Sequence, residues 1–337
     1  MKKILMLATG GTIASKDSGQ GLTPAITSQE ILSYVPAIGQ LCQVEAIQLM
    51  NLDSTNITPR HWQEMARAVE EYYDQYDGFV ITHGTDTMAY TAAALSYLIQ
   101  YSEKPIVITG SQKSICLENT DARLNLYNSF LYAAAEGSHG VSLVFDGKVI
   151  LGTRARKERT KSFNAFSSVD YPELAVIRDG KLIRYLAELE YRPRPVFYHE
   201  MEERVLLLTL IPGMGADALE ALRDRYEAVI LQSFGVGGLP GGASGPLARA
   251  MESWLEAGKT IVMMTQVPYE GSDMEVYQVG YQVKEKYQLM EAYNMTLEAA
   301  TAKLMWALGQ TRESGQVRQL FEQPVQFDLI RWNYLKK

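Results

Sequence analysis

Residues 1–15 read MKKILMLATGGTIAS, and the run Ile4, Leu5, Met6, Leu7, Ala8 ending in Thr9-Gly10-Gly11-Thr12 governs how the rest of the chain is read. Two lysines before an apolar core have the outline of a secretory leader. The core is shorter than the roughly 7–15 residues such a leader needs. It also runs straight into two glycines, so it reads as a first buried strand followed by a tight turn. Residues 44–49, 78–82, 105–109 and 141–145 have the same character, apolar throughout, as strands covered on both faces are. Between them, 59–73, 87–100 and 121–136 carry apolar residues at helical spacing, and Thr58-Pro59 and Asp121 are the expected N-caps. This alternation predicts right-handed crossovers and a largely parallel sheet with helices on both faces.

Farther along, Asp146-Gly147 and Asp179-Gly180 sit between apolar runs and predict two hairpins. Residues 188–203 (ELEYRPRPVFYHEMEE) are charged, contain Pro193 and Pro195, and lack helical period, which marks a linker. The strand–helix rhythm then resumes, with strands at 205–210, 228–231 and 260–264 and helices at 216–226 and 245–257. A helical pair near 296–308 and 312–320 closes the chain. The predicted fold is α/β: two α/β domains with mostly parallel sheets flanked by helices. The larger, N-terminal catalytic domain spans 1–187, the linker 188–204 and the smaller C-terminal domain 205–337.

Composition narrows the function. The 337 residues are 47% hydrophobic and 21% charged with a net charge of −7, an ordinary globular balance that excludes extensive disorder. The acidic excess argues against nucleic acid or an anionic membrane as main partner, and no apolar run approaches the roughly 20 residues of a membrane span. The expected location is cytoplasmic. Cys42 and Cys116 form no CxxC, and His61, His83, His139 and His199 are scattered singly. Neither a disulfide framework nor a metal site is expected, and each histidine reads as an ordinary hydrogen-bonded residue.

In an open parallel sheet, ligands bind beyond the carboxyl ends of the strands. The exits here are Thr9-Gly10-Gly11-Thr12, Asp53-Ser54-Thr55, His83-Gly84-Thr85-Asp86-Thr87 and Gly110-Ser111-Gln112-Lys113. All four carry hydroxyls and two carry a carboxylate. There is no GxxxxGKS/T and no GxGxxG, which disfavours phosphate cradling. Thr12 is placed as a hydroxyl nucleophile, which needs activation. No GxSxG elbow with a histidine partner is present, so the alternative base is a lysine, and Lys157 in Arg154-Ala155-Arg156-Lys157 is the candidate. Asp86 is either an N-cap or first-turn carboxylate or the anchor of a ligand ammonium. Asp53-Ser54-Thr55 is either a turn or a carboxylate-binding loop.

The motifs ATGGTIA (8–14), LDSTNITP (52–59), DGFVITHGTDTMAY (77–90), TGSQ (109–112), RARKERTKSFNAF (154–166) and QSFGVGG (232–238) together resemble the bacterial-type L-asparaginase/glutaminase family, in its type I, cytoplasmic branch. That resemblance implies hydrolysis of the L-asparagine side-chain amide by double displacement. Thr12 would attack, with Thr85, Asp86 and Lys157 as a second hydroxyl–carboxylate–lysine set and the N–H groups of Thr12 and Thr85 as oxyanion hole. Asp53, Ser54, Thr55 and Asp86 would hold the substrate's carboxylate and ammonium, with Thr85, Ser111 and Gln112 lining the same site. It also implies no cofactor, L-glutamine as a second possible substrate, and dimers or tetramers with sites completed by a neighbouring subunit.

Two departures stand out. In the segment 15–25, which corresponds to a mobile lid, Leu22 stands where the family usually has tyrosine, and Tyr277 is the candidate replacement, borrowed from a neighbour. Gly237-Gly238 stands where many relatives have asparagine. Two rival functions remain. One is the amidase subunit of a tRNA-dependent transamidation complex, whose members carry an extra N-terminal domain, whereas TGGT here begins at residue 9. The other is a non-catalytic amino-acid sensor on the same scaffold, a reading weakened by the presence of Thr12, Thr85, Asp86 and Lys157.

Overall fold

In the computed structural model, which describes residues 1–17, 22–186, 194–276 and 278–330, strand β1 (Lys3–Gly10) lies one strand in from the edge of the larger sheet. Its neighbours are β2 (Gln43–Leu52) and β3 (Gly78–Thr82), both parallel to it. Beyond β3 come β4 (Pro105–Thr109) and β5 (Gly140–Phe145), again parallel. The antiparallel strands β6 (Lys148–Leu151), β7 (Ala175–Arg178) and β8 (Lys181–Arg184) complete an eight-stranded sheet of order β8-β7-β6-β5-β4-β3-β1-β2. Both expected hairpins form. Asp146 and Gly147 have φ 50° and 71°, and Asp179 and Gly180 have φ 48° and 68°, the left-handed pair that a two-residue turn demands.

Every residue of β3 and β4 is buried, as a doubly covered strand requires. β2 differs from expectation. It is an edge strand whose residues alternate in exposure, longer than its apolar run suggested. On one face Ile4, Met6, Val80, Val107 and Val144 pack with Leu126 and Phe130 of α4 (Ala122–Ala134) and Ile31 of α1 (Ser28–Ser33). The other face meets α2 (Pro59–Tyr72) and α3 (Met88–Leu98), with Tyr73 stacked on Phe79 at 6.2 Å between ring centroids. Residues 99–100, expected as the end of α3, instead form a short strand paired with Val196–Phe197. α1 was not expected. Its signal is Thr27-x-x-Glu30, a reciprocal capping box in which Thr27 N donates to Glu30 Oε2 at 2.8 Å.

Asp121 precedes α4 as expected, yet its side chain makes no capping bond there. Its carboxylate turns back and accepts from the N–H groups of Gln112 and Lys113. The chain divides into two units, Met1–His199 and Glu200–Lys337. Of the stretch expected to be linker, residues 188–193 lie outside the described residues, and Val196–Phe197 is the strand just mentioned.

In the second unit, β9 (Val205–Thr209), β10 (Ala228–Ser233), β11 (Thr260–Thr265) and β12 (Met290–Glu291) form a parallel sheet in that order. Val229, Leu231 and Met263 pack with Leu219, Met251 and Trp254. The helical pair appears as α5 (Leu297–Gln310), capped by Thr296, and α6 (Ser314–Glu322). Among the described residues no helix is long and apolar enough to cross a membrane, and no group of three or more His, Cys, Asp or Glu side chains is placed to hold a metal ion. Cys42 and Cys116 are both free thiols.

Candidate active site

The carboxyl ends of β1 to β4 are drawn together by glycines. Gly10 has φ 101°, and a Cβ there would lie 2.6 Å from the backbone N and O of Leu52. Gly11 has φ 79°, and its Cβ would fall 2.3 Å from Gly84 N. A Cβ on Gly84 would meet Ser54 Oγ at 2.6 Å, and one on Gly110 would meet the His83 carbonyl oxygen at 2.1 Å. Four strand exits thus touch backbone to backbone, which only side-chain-free residues permit. Thr12 and Thr85 each follow one member of the touching Gly11–Gly84 pair, so the contact brings the two threonines to one place. Thr12 opens a single 3-10 turn, Thr12–Ala14, that is clasped by the 111–116 loop through Ile115 N to Ile13 O at 3.2 Å.

Lys157 reaches the same place from a short antiparallel arm in which Ala155–Lys157 pairs with Phe166–Ser168. Its Nζ donates to Thr85 Oγ1 at 2.8 Å and to Asp86 Oδ1 at 2.7 Å. Thr85 is 6% exposed. The Lys157 side chain is 15% exposed and that of Asp86 is 60% exposed, so the ammonium sits at the boundary between protein and solvent. As a stabilising ion pair such an arrangement is worth only about 0–1 kcal/mol. Its geometry matters more for chemistry, since an ammonium donating to Oγ1 stabilises negative charge developing on that oxygen. Lys157 is thus bonded on two sides and is not a freely solvated charge. Nor is Asp86 the cap of α3: Thr87 holds that position and the Asp86 carboxylate is given to Lys157.

The other predicted residues frame this pair. Ser54 is buried, receives the Asp86 N–H on its Oγ at 3.3 Å, and accepts from Thr87 Oγ1 at its carbonyl at 2.7 Å. Asp53 Oδ1 accepts from the N–H and hydroxyl of Thr55, both at 2.9 Å. That is the turn reading, and it leaves both residues exposed at the mouth. Gln112 Oε1 accepts from Thr85 Oγ1 at 3.3 Å, while its Nε2 donates to the carbonyls of Arg159 and Ser162. Ser111 is fully buried and its hydroxyl donates to Lys113 O, so it shapes the loop. Burial raises the Asp121 carboxyl above its usual range, while the N–H groups of Gln112 and Lys113 and the Asn125 amide hold it down.

His83, read as an ordinary hydrogen-bonded residue, is bonded at both ring nitrogens. His83 is fully buried, and burial lowers its pKa to about 4, so the imidazole is neutral near pH 7. Nδ1 lies 2.7 Å from Gly84 O and Nε2 lies 3.0 Å from Thr91 Oγ1, which also accepts from Trp62 Nε1 at 2.9 Å. The three side chains come from the end of β3, from α3 and from α2, and no short spacing announces them.

Of the two departures, Leu22 lies in a strand (Leu22–Pro24) paired antiparallel with Ser15–Asp17, opposite Asp17 in register. Residues 18–21 and Tyr277 lie outside the described residues. Gly237, in the second unit, has φ 126° and a Cβ there would fall 2.5 Å from Met274 Cγ. A side chain at 237 is therefore disfavoured by both conformation and space, whereas Gly238 has no left-handed φ and a Cβ there would meet Phe234 O at 3.3 Å.

Two family profiles fit the chain: "Asparaginase, N-terminal" over residues 3–190 and "Glutaminase/Asparaginase C-terminal domain" over 204–321. The chain belongs to the asparaginase/glutaminase family. It is similar to the L-asparaginase of Thermococcus kodakarensis, with 37% identity covering 96% of this chain and 98% of that one. It is also similar to a glutamyl-tRNA(Gln) amidotransferase component of Pyrococcus furiosus, at 33% identity over 94% of this chain and 74% of that protein. Among solved structures, L-asparaginase I of Vibrio cholerae superposes with a TM-score of 0.88 at 29% identity, covering 98% of this chain and 99% of the other.

Proposed function

We propose that this family member is an amidohydrolase that converts L-asparagine to L-aspartate and ammonia through a threonine ester. The observation that carries the reading is the Lys157 ammonium within 2.8 Å of Thr85 Oγ1 and 2.7 Å of Asp86 Oδ1, one residue from the Gly11–Gly84 contact. In this reading Thr12 Oγ adds to the side-chain amide carbon, and the N–H groups of Thr12 and Thr85 receive the charge on the former carbonyl oxygen. The leaving nitrogen takes a proton and departs as ammonia. Water then adds to the ester carbon, and the Thr12–aspartyl bond breaks to give aspartate. Thr85, polarised by Lys157, handles protons in both halves. Asp86, 60% exposed, is free to meet a substrate ammonium on the oxygen not given to Lys157.

The pairing of Asp53 with Thr55 leaves both at the mouth, suited to the substrate's α-carboxylate through Thr55 and the neighbouring turn. A cytoplasmic location and a dimer or tetramer belong to the same proposal and rest on the family resemblance. The test is ammonia release from L-asparagine by the purified protein alone, with L-glutamine in parallel. One methylene of difference is worth about 1–3 kcal/mol, so the two amides should differ by roughly tenfold or more in kcat/KM. Binding of L-asparagine without turnover would favour a sensor, and turnover seen only beside a transamidation partner and its tRNA would favour the reading suggested by the amidotransferase relative.

A further inference from the structure

Behind the site, four groups form one unbranched line of hydrogen bonds, and the donor at every step is fixed by chemistry. Trp62 Nε1 only donates, so Thr91 Oγ1 accepts from it at 2.9 Å. The Gly84 carbonyl only accepts, so the proton on His83 is at Nδ1, 2.7 Å away. In a neutral imidazole Nε2 is then an acceptor, and the Thr91 hydroxyl donates to it at 3.0 Å. Trp62 is 5% exposed, and Thr91 and His83 not at all. The line runs inward from α2 through α3 and ends on the peptide that leads into Thr85.

That peptide is trans, as are all those described. In a trans peptide the C=O and N–H point in opposite directions in one plane. Fixing the Gly84 oxygen toward the imidazole therefore fixes the Thr85 N–H away from it. The preceding backbone is equally constrained: His83 N donates to Thr109 O at 2.8 Å, and Gly11 packs directly against Gly84 N. An apolar side chain at 83 would fill the same volume yet leave a buried carbonyl unpaired and the peptide free to rotate.

We propose that Trp62, Thr91 and His83 are positioning residues that aim the Thr85 N–H at the substrate carbonyl oxygen, and with it hold the Thr85 hydroxyl near the reacting carbon, without touching substrate. The inference rests on the asparaginase reading of the site. A relay of this kind is held by geometry alone, because its two ends, a donor-only indole and an acceptor-only carbonyl, allow one direction of bonding along the whole line.

The decisive experiment compares His83→Asn with His83→Gln in the full chain, by steady-state kinetics on L-asparagine together with thermal unfolding. The asparagine amide nitrogen occupies the place of Nδ1 and keeps the bond to Gly84 O. The glutamine side chain reaches the place of Nε2, keeps Thr91 satisfied and abandons Gly84. His83→Asn should keep kcat within about tenfold of wild type. His83→Gln should lose on the order of 10²-fold or more in kcat, the loss typical of a misplaced oxyanion donor, with KM little changed. Equal kcat in the two folded variants, or losses that follow their melting temperatures, would overturn the proposal. Should His83→Asn fail to fold, Thr91→Val against Thr91→Ser carries the same contrast: lower kcat for valine supports it, and wild-type kcat for valine overturns it. An active wild type with indistinguishable variants defeats this inference alone, whereas an inactive wild type defeats the functional reading and this inference with it.

Discussion

Gly11 and Gly84 meet so closely that a single methyl group on Gly11 would stand 2.3 Å from the Gly84 nitrogen. Gly11 also holds φ 79° and ψ −177°, a conformation that belongs almost to glycine alone. Gly11→Ala should lower stability by about 1–3 kcal/mol through overpacking and should lower kcat/KM further, because the strand exits bearing Thr12 and Thr85 are forced apart. Denaturant unfolding beside kinetics separates the two effects. A variant with wild-type kcat/KM would show that the glycine contact is irrelevant to catalysis.

Thr12→Ala and Thr85→Ala should each reduce turnover by several orders of magnitude while the melting temperature stays close to wild type. Each change deletes a group used mainly in the transition state. Substantial turnover by either purified variant would reject the threonine mechanism.

Lys157 sits on a peripheral arm and faces a carboxylate that is 60% exposed. Lys157→Met keeps the stem and removes the charge, so stability should change by less than about 1 kcal/mol. kcat should nevertheless fall by roughly 10²–10⁴, the range for a lost proton-transfer partner. Asp86→Asn should act differently, raising KM and lowering kcat/KM for L-asparagine, because it discharges the anchor of the substrate ammonium. Unchanged KM in Asp86→Asn would leave the residue only its bond to Lys157.

Acid should destabilise the protein in two stages. His83 has an ordinary value near 6.5 when unfolded and about 4 when folded and buried. The unfolded chain therefore binds the extra proton first, and stability falls as pH drops from 6.5 to 4, by up to roughly 3 kcal/mol for a shift of this size. Glu202, held to about 2 chiefly by its hydrogen bonds from Arg204 and Arg312, contributes stability that is present above its ordinary 4.5 and lost as pH falls toward 2. Chemical denaturation between pH 8 and 3 should show the first stage vanish in His83→Asn and the second in Glu202→Gln.

Much of the architecture was legible because buried parallel strands are written as unbroken apolar runs, and because Asp146-Gly147 and Asp179-Gly180 announce their turns in two letters. Non-local pairing was not legible. Ile99 and Gln100 leave helical conformation and pair with Val196 and Phe197, far along the chain. Asp121 has the chemistry of a cap, but two loop N–H groups compete for its carboxylate and win. At the site, the clustering of Thr12, Thr85 and Asp86 followed from strand exits converging, whereas the reach of Lys157 depends on an arm whose course no spacing reveals. His83, read as an ordinary hydrogen-bonded histidine, became informative only once its three partners were visible.

β1 pairs with residues 43–52 on one side and with residues 78–82 on the other, and the lysine that serves the site comes from residue 157. During synthesis, then, the first strand leaves the ribosome long before either of its partners and well before the arm. Such long-range pairing closes late in folding. The strand exits that carry Thr12 and Thr85 and the arm that carries Lys157 therefore meet only when the Met1–His199 unit has closed as a whole.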